Sequence, residues 1–242
     1  MFLSKTDMSK EKDYSAGEAW SDIYSGKFDL FYPAEYVVRI FKGQYPNLTW
    51  ERSFENKSIL DVGCGDGRHV LFFKSIGMNA HGLEISEEIA SQLRTNLKDL
   101  DIRPEEIHAG SCSKLPFEDN SFDYLMGWNS TYYMSLDDSK FEDHVNEMTR
   151  VLKPGGYLIL SIPKDTAFIF EKSEFCKDTK YKIIKDDYYD GMRNGEIMRV
   201  FKSRSELKEE FLNLYEDFNF GEISDDCFGL NFHWHLMIAK KK

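Results

Sequence analysis

The stretch Ser58-Ile59-Leu60-Asp61-Val62-Gly63-Cys64-Gly65-Asp66-Gly67-Arg68-His69-Val70-Leu71 constrains this chain more than any other. A short apolar run, three glycines at alternate positions and an immediate helical start read as strand, tight turn and helix. Glycine is needed where the backbone turns sharply or where a ligand approaches too closely for any side chain. A helix N-terminus beside such a turn offers unpaired N–H groups and positive dipole to a polar or anionic ligand. The third glycine of a dinucleotide fingerprint, G-x-G-x-x-G, falls at position 68, which is Arg68. A nicotinamide dinucleotide is therefore disfavoured.

A second apolar run, Met78-Asn79-Ala80-His81-Gly82-Leu83, ends in Glu84. An acid at the tip of the second strand of a nucleotide-binding βαβ unit accepts hydrogen bonds from ribose hydroxyls. With Asp61 standing before G-x-G-x-G, the chain resembles the class I S-adenosylmethionine-dependent methyltransferases, whose first motif is an acid followed by that glycine pattern. The resemblance extends from about residue 55 to about residue 240 through Gly110-Ser111-Cys112-Ser113-Lys114-Leu115-Pro116-Phe117, Asn120–Met126 and Glu147–Leu160. It implies S-adenosylmethionine as cofactor, held by Asp61, Gly63, Cys64, Gly65, Gly67, Glu84 and Ile85. Ser111, Cys112 and Ser113 would lie against the adenine, and Gly127 and Trp128 near the methionine end. Many members carry an acid where this chain has Ser111 and Cys112, so backbone groups are expected to hold the base.

The resemblance implies an α/β fold with a doubly wound, mostly parallel seven-stranded sheet, closed by an antiparallel last strand. The pattern itself alternates strand and helix from Ser58 onward, as a parallel sheet covered on both faces requires. Strands are predicted near 58–62, 79–84, 107–109, 122–126 and 156–162. Helices are predicted near 68–76, 86–100 and 139–152, with Ser86 capping the second. Pro154 and Gly155 suit a tight turn before the fifth strand. A helix from Glu206 to Tyr215, capped by Ser203 or Ser205, and strands at 217–223 and 231–239 close the chain. We read one domain over 1–242: aromatic helices forming a lid over 1–50, a cofactor-binding core over 55–162, an acceptor-side insertion over 163–203 and closing elements over 204–242. The insertion is a charged, tyrosine-dotted stretch too long for a bare loop.

In such sheets ligands bind beyond the carboxyl ends of the strands. Methyl transfer is an in-line displacement, so positioning supplies much of the rate, and a base is needed only when the acceptor must lose a proton. The catalytic candidates are Tyr132 and Tyr133 after the fourth strand, and His233 and His235, which share one face of the last strand. Packing and structural hydrogen bonding are the plain alternatives for all four. The acceptor candidates are Tyr14, Tyr24, Tyr32, Tyr188, Tyr189, Arg193 and Arg199. No third ligand accompanies the histidine pair, and no metal is expected.

The chain of 242 residues carries 31 basic against 42 acidic side chains, a formal charge of −11. Such a surface repels a phosphate backbone, which disfavours nucleic acid as substrate. No apolar run is long enough to span a bilayer and no signal-peptide core precedes the domain, so neither membrane nor export is expected. Four scattered cysteines suit a reducing cytoplasm. The expected acceptor is a small polar metabolite methylated on nitrogen or oxygen, such as an amine, a phosphorylated amino-alcohol or a sugar. A non-catalytic cofactor- or nucleotide-binding module of the same fold is the alternative.

Overall fold

The structure, a computed structural model, describes residues 32–98, 100, 102–134, 140–189 and 191–242. Helix α1 (Glu35–Lys42) precedes a regular alternation of β1 (Ser58–Val62), α2 (Arg68–Ser75), β2 (Asn79–Glu84), α3 (Glu87–Leu97), β3 (Ile107–Ala109) and β4 (Phe122–Trp128). A two-residue strand, β5 (Tyr133–Met134), leads to α4 (Phe141–Val151) and β6 (Leu152–Pro163). Three short strands follow, β7 (Ser173–Phe175), β8 (Tyr181–Ile184) and β9 (Ile197–Arg199). Helix α5 (Arg204–Phe211) and the hairpin of β10 (Tyr215–Cys227) and β11 (Leu230–Lys241) complete the chain.

The main sheet has seven strands in the order β10-β11-β6-β4-β1-β2-β3. Strands β3, β2, β1, β4 and β6 are parallel, and β11 inserts antiparallel between β6 and β10. This is the doubly wound, mostly parallel sheet with an antiparallel closing strand that the sequence implied. Successive residues of a strand face opposite sides, so a sheet covered on both faces needs apolar residues at every position. Ile59 and Leu60 accordingly join different cores. Leu60 belongs to the cluster that holds Phe141, Val145 and Met148 of α4 and Leu207 and Phe211 of α5. Ile59 belongs to the other, with Val37 and Phe41 of α1, Val70 and Phe73 of α2, and Leu93 and Leu97 of α3. Burying each such side chain is worth about 1.5–3 kcal/mol.

Several boundaries shift for identifiable reasons. Strand β4 runs on to Trp128 because Gly127 and Trp128 pair with Leu160 and Ser161. Strand β6 starts at Leu152, and the Pro154–Gly155 turn is a bulge within it: Leu152 pairs with Phe122 and Tyr157 with Tyr124, leaving residues 153–156 to loop out, with φ of 76° at Gly155. Ser86 caps α3 by accepting the Ile89 amide at 3.2 Å, and Ser203 caps α5 by accepting the Glu206 amide at 3.1 Å. That cap starts α5 two residues before the predicted helix. No helix among the described residues is long and apolar enough to cross a membrane.

Residues after β6 form a second, four-stranded antiparallel sheet, β5-β9-β8-β7. Its first strand comes from the segment after β4, which the sequence did not mark as strand. Arg199 fastens this sheet to α5. Its fully buried guanidinium donates to Glu206 at 3.2 Å, Glu210 at 2.6 Å and the carbonyls of Lys180 and Val200, and lies over the Phe201 ring. Placed as an acceptor ligand by the sequence, Arg199 is instead consumed by this anchor. Removing one partner of a buried pair strands the others. Arg199→Ala is expected to lose about 2–4 kcal/mol in denaturant unfolding, with unchanged affinity for any ligand at the main sheet's carboxyl edge; a loss below 1 kcal/mol would contradict the anchoring role.

Candidate active site

The turn between β1 and α2 places φ of 72°, 59° and 81° at Gly63, Gly65 and Gly67. Gly63 has a further reason to be glycine, since a Cβ there would lie 2.5 Å from Ser130 Cβ. Ser130 also donates to the Val62 carbonyl, so the loop after β4 closes directly onto the first turn. The amides of Gly63 and Cys64 donate to Leu83 O at 2.8 and 3.1 Å, which fixes the turn against the end of β2. Cys64 packs against Gly82, and burial pushes its thiol well up. Only its backbone is available to a ligand.

Glu84, at the tip of β2, accepts the Gly65 amide at 2.5 Å and the Ile85 amide at 3.3 Å. It is 6% exposed, and burial pushes its carboxyl from 4.5 up to about 7. Ile85 is half exposed beside it. Asp61 is fully buried, with no hydrogen bond to either carboxylate oxygen among the described residues. His69 Nδ1 stands 3.6 Å from its Oδ2, and burial raises the Asp61 pKa. His69 Nε2 in turn accepts the Ala34 amide at 3.2 Å. The sequence reading did not select His69; its only signal there was a histidine in the first turn of the helix that opens behind the glycines.

Beyond β3, Ser111, Cys112 and Ser113 form a tight polar turn, with the two hydroxyls 2.7 Å apart and the Ser113 amide donating to Ser111 Oγ at 3.1 Å. Beyond β4, Gly127 lies under Thr131 and Trp128 is buried beside His69, ring centroids 6.5 Å apart. Ser161 then holds Asn129 by two hydrogen bonds, accepting its amide and donating to its side-chain oxygen.

The structure brings part of the acceptor set together. Tyr132 and Tyr133 stack at 4.9 Å, and burial pushes both phenols up. Arg193 Nε donates to Tyr133 Oη at 3.0 Å, while its Nη1 reaches both oxygens of Asp187 at 3.0 Å and its guanidinium lies over the Tyr189 ring. Tyr189 touches Phe168, which packs against Phe232 and Trp234. Asp187 and Phe168 went unselected in the sequence because nothing local distinguishes them from surface acid and core aromatic.

Other candidates part from this group. Tyr188 is turned to Glu171 and Lys172, and Tyr32 is 93% exposed. Tyr14 and Tyr24 lie outside the described residues. His233 hydrogen-bonds Thr166 at 3.0 Å. His235 is buried opposite Ile162 and Glu222, and neither ring nitrogen has a hydrogen-bond partner among the described residues. Burial pulls its pKa down to about 4, so the ring is neutral above that pH.

Glu84 makes the site costly to keep. A carboxyl held at about 7 in the fold binds its proton more tightly than the unfolded chain does, so stability falls as pH rises from 4.5 to 7. The loss reaches at most about 3 kcal/mol. Glu84→Gln is expected to flatten this dependence and to melt above the wild type at pH 8. Thermal unfolding between pH 5 and pH 8 checks this; a wild-type-to-variant difference that stays constant across that range would refute it.

The comparisons with known proteins agree with this geometry. A family model described as "Methyltransferase domain" matches residues 59–156. A demethylmenaquinone methyltransferase of Oceanobacillus iheyensis is 29% identical over 170 residues, which cover 65% of this chain and 68% of that protein. One from Listeria monocytogenes is 37% identical over 108 residues, so there the chain spans only 42% of its relative's length. Among solved structures, a SAM-dependent methyltransferase of Methanosarcina mazei shares the fold at a TM-score of 0.61 and 22% identity, over 87% of this chain and 99% of that one. A 1,6-didemethyltoxoflavin-N1-methyltransferase of Burkholderia thailandensis, solved with its acceptor and S-adenosylhomocysteine, does so at 0.54 and 15% identity, over 95% and 80%. A methyltransferase domain thus covers residues 59–156, and the chain is similar to the class I S-adenosylmethionine-dependent methyltransferases in its fold and in the acid, glycine turn and second-strand acid of that segment.

Proposed function

We propose that this enzyme methylates a nitrogen or oxygen of a small polar acceptor, an amine, a phosphorylated amino-alcohol or a sugar. When bound, S-adenosylmethionine supplies an electrophilic methyl group on a sulfonium centre. The residues present fit it: the unpartnered Asp61 carboxylate suits its ammonium group, the glycine turn leaves room for its backbone-like portion, and Glu84 suits its ribose diol. Gly127 and Trp128 would border the methionine end, and Ser111, Cys112 and Ser113 the adenine.

The observation that carries the acceptor reading is the chain Asp187–Arg193–Tyr133, continued by the stack onto Tyr132. A buried guanidinium neutralised by one carboxylate presents oriented donors without a full net charge, which suits a polar acceptor. The raised phenols stay protonated near neutrality, so Tyr132 and Tyr133 position and donate rather than act as bases. His235 stands apart from this group and is the candidate base only by its unengaged ring nitrogens within the described residues, since burial, which pulls it to about 4, makes it a weak base near neutrality. A hydroxyl acceptor needs that help and a neutral amine does not.

A second reading has its own support. The Phe168–Phe232–Trp234 cluster suits a flat apolar ring, and relatives are named for demethylmenaquinone and for sterol 4-C methylation. Under that reading the acceptor is a ring carbon. We place the chain in the cytoplasm as one methyltransferase domain without metal, nucleic-acid or membrane partners, in keeping with its acidity and four unpaired cysteines.

Labelled cofactor offered with a panel of amines, phosphorylated amino-alcohols, nucleotide sugars and reduced quinones is the direct test. Product on the first three groups supports the proposal, product on quinones alone favours the ring-carbon reading, and turnover only on tRNA or protein overturns both. With a hydroxyl acceptor, His235→Asn is expected to lower kcat about 100-fold while sparing an amine; equal loss on both would remove His235 as base.

A further inference from the structure

We propose that His69 is a positioning residue that couples the seating of α1 to the cofactor through Asp61. The inference rests on the cofactor reading above. The imidazole is almost fully buried and bridges two chain segments far apart in sequence. On one side the Ala34 amide donates to Nε2 at 3.2 Å, immediately before the first turn of α1. An amide can only donate, so Nε2 carries the lone pair and the ring proton sits on Nδ1. On the other side Nδ1 faces Asp61 Oδ2 at 3.6 Å. That separation is longer than a hydrogen bond. Both Asp61 oxygens thus remain without a hydrogen bond while fully buried, which is costly.

The two ends of α1 are held differently. Val37, Ile40 and Phe41 pack into the core, and the Phe41 ring lies 5.3 Å from Trp50 and 4.8 Å from Phe73. Besides Val37, the N-terminal end is held among the described residues by Ala34 on His69 and by an exposed 3.3 Å contact from Tyr36 to Asp225 of the closing hairpin. A cation taken up by Asp61 fixes the group as a carboxylate and draws the Nδ1 proton towards it. Polarising that proton makes Nε2 a better acceptor for Ala34. Cofactor uptake therefore tightens the start of α1, and by linkage a seated α1 tightens the cofactor by the same factor.

The chemistry of the two ring nitrogens supplies the test. The Asn side-chain amide reproduces the Nδ1 position, and that of Gln reproduces Nε2. Calorimetry with S-adenosylhomocysteine and amide exchange over residues 34–42 read the two arms separately. In the wild type, saturating S-adenosylhomocysteine is expected to slow exchange at the start of α1. His69→Ala should weaken binding about tenfold and abolish the slowing. His69→Asn should keep the affinity within about threefold but lose the slowing. His69→Gln should keep the exchange rates of the free protein and lose affinity as Ala does. Wild-type affinity and wild-type slowing in both His69→Ala and His69→Gln would overturn the coupling. Failure of the wild type to bind S-adenosylhomocysteine at all would overturn the cofactor reading itself.

Discussion

A carboxylate with almost no water around it receives the Gly65 amide at 2.5 Å, and much of the sheet's carboxyl edge is arranged about that contact. Glu84 ends β2 and Gly65 stands in the turn after β1, so one bond sets the two nucleotide-facing loops relative to each other. The neighbouring amides of Gly63 and Cys64 reach the carbonyl of Leu83, just before Glu84. The loop after β4 then closes on Gly63 through Ser130. Three loops from three strands meet within a few residues, and each meeting needs either a missing Cβ or a satisfied amide. The cost is concentrated in acids: Glu84 and Asp61 are both buried where water would stabilise their charge, and Glu84 recovers part of that cost from the two amides it accepts.

The acceptor side balances its charges differently. Arg193 is neutralised within its own segment by Asp187, and its Nε donates to the Tyr133 phenol. This gives oriented polarity without a strong field, beside an aromatic cluster able to take the apolar part of a substrate. The two groups of buried charge are therefore held by different physics, carboxylates on backbone amides or beside a histidine on one side and a compensated guanidinium on the other.

The cofactor half was legible in the sequence because its signals are local. Strand, alternating glycines and helix occupy fourteen consecutive residues, and Glu84 lies a fixed distance beyond. β1, β2 and β3 fall on their predicted residues for the same reason: short, largely buried parallel strands stand between turn residues on either side. The second sheet was not legible. Its strands are two to four residues long and carry mixed polarity, and β5 owes its pairing to a partner more than sixty residues away, Tyr133 to Met198. Arg193 and Arg199 looked alike in sequence, and only the position of Glu206, Glu210 and Asp187 separates a structural cation from one at the site. His69 was invisible because its role depends on Ala34, thirty-five residues upstream.

The borrowed strand β5 carries a consequence for how such a protein diversifies. The small sheet takes in β5 through the Tyr133–Met198 pairing, and its ties to the rest of the fold include the Arg199 amide on Tyr132, the bridge from Lys164 to Phe201 and the Arg199 anchor on α5. None of these attachments touches the glycine turn, Asp61 or Glu84. On the proposed acceptor reading, residues 164–202 act as a cassette in which a change retunes which molecule is accepted while leaving the glycine turn, Asp61 and Glu84 in place. Tyr132 and Tyr133 lie on the seam, so they are the positions where a change of substrate must remain compatible with both halves.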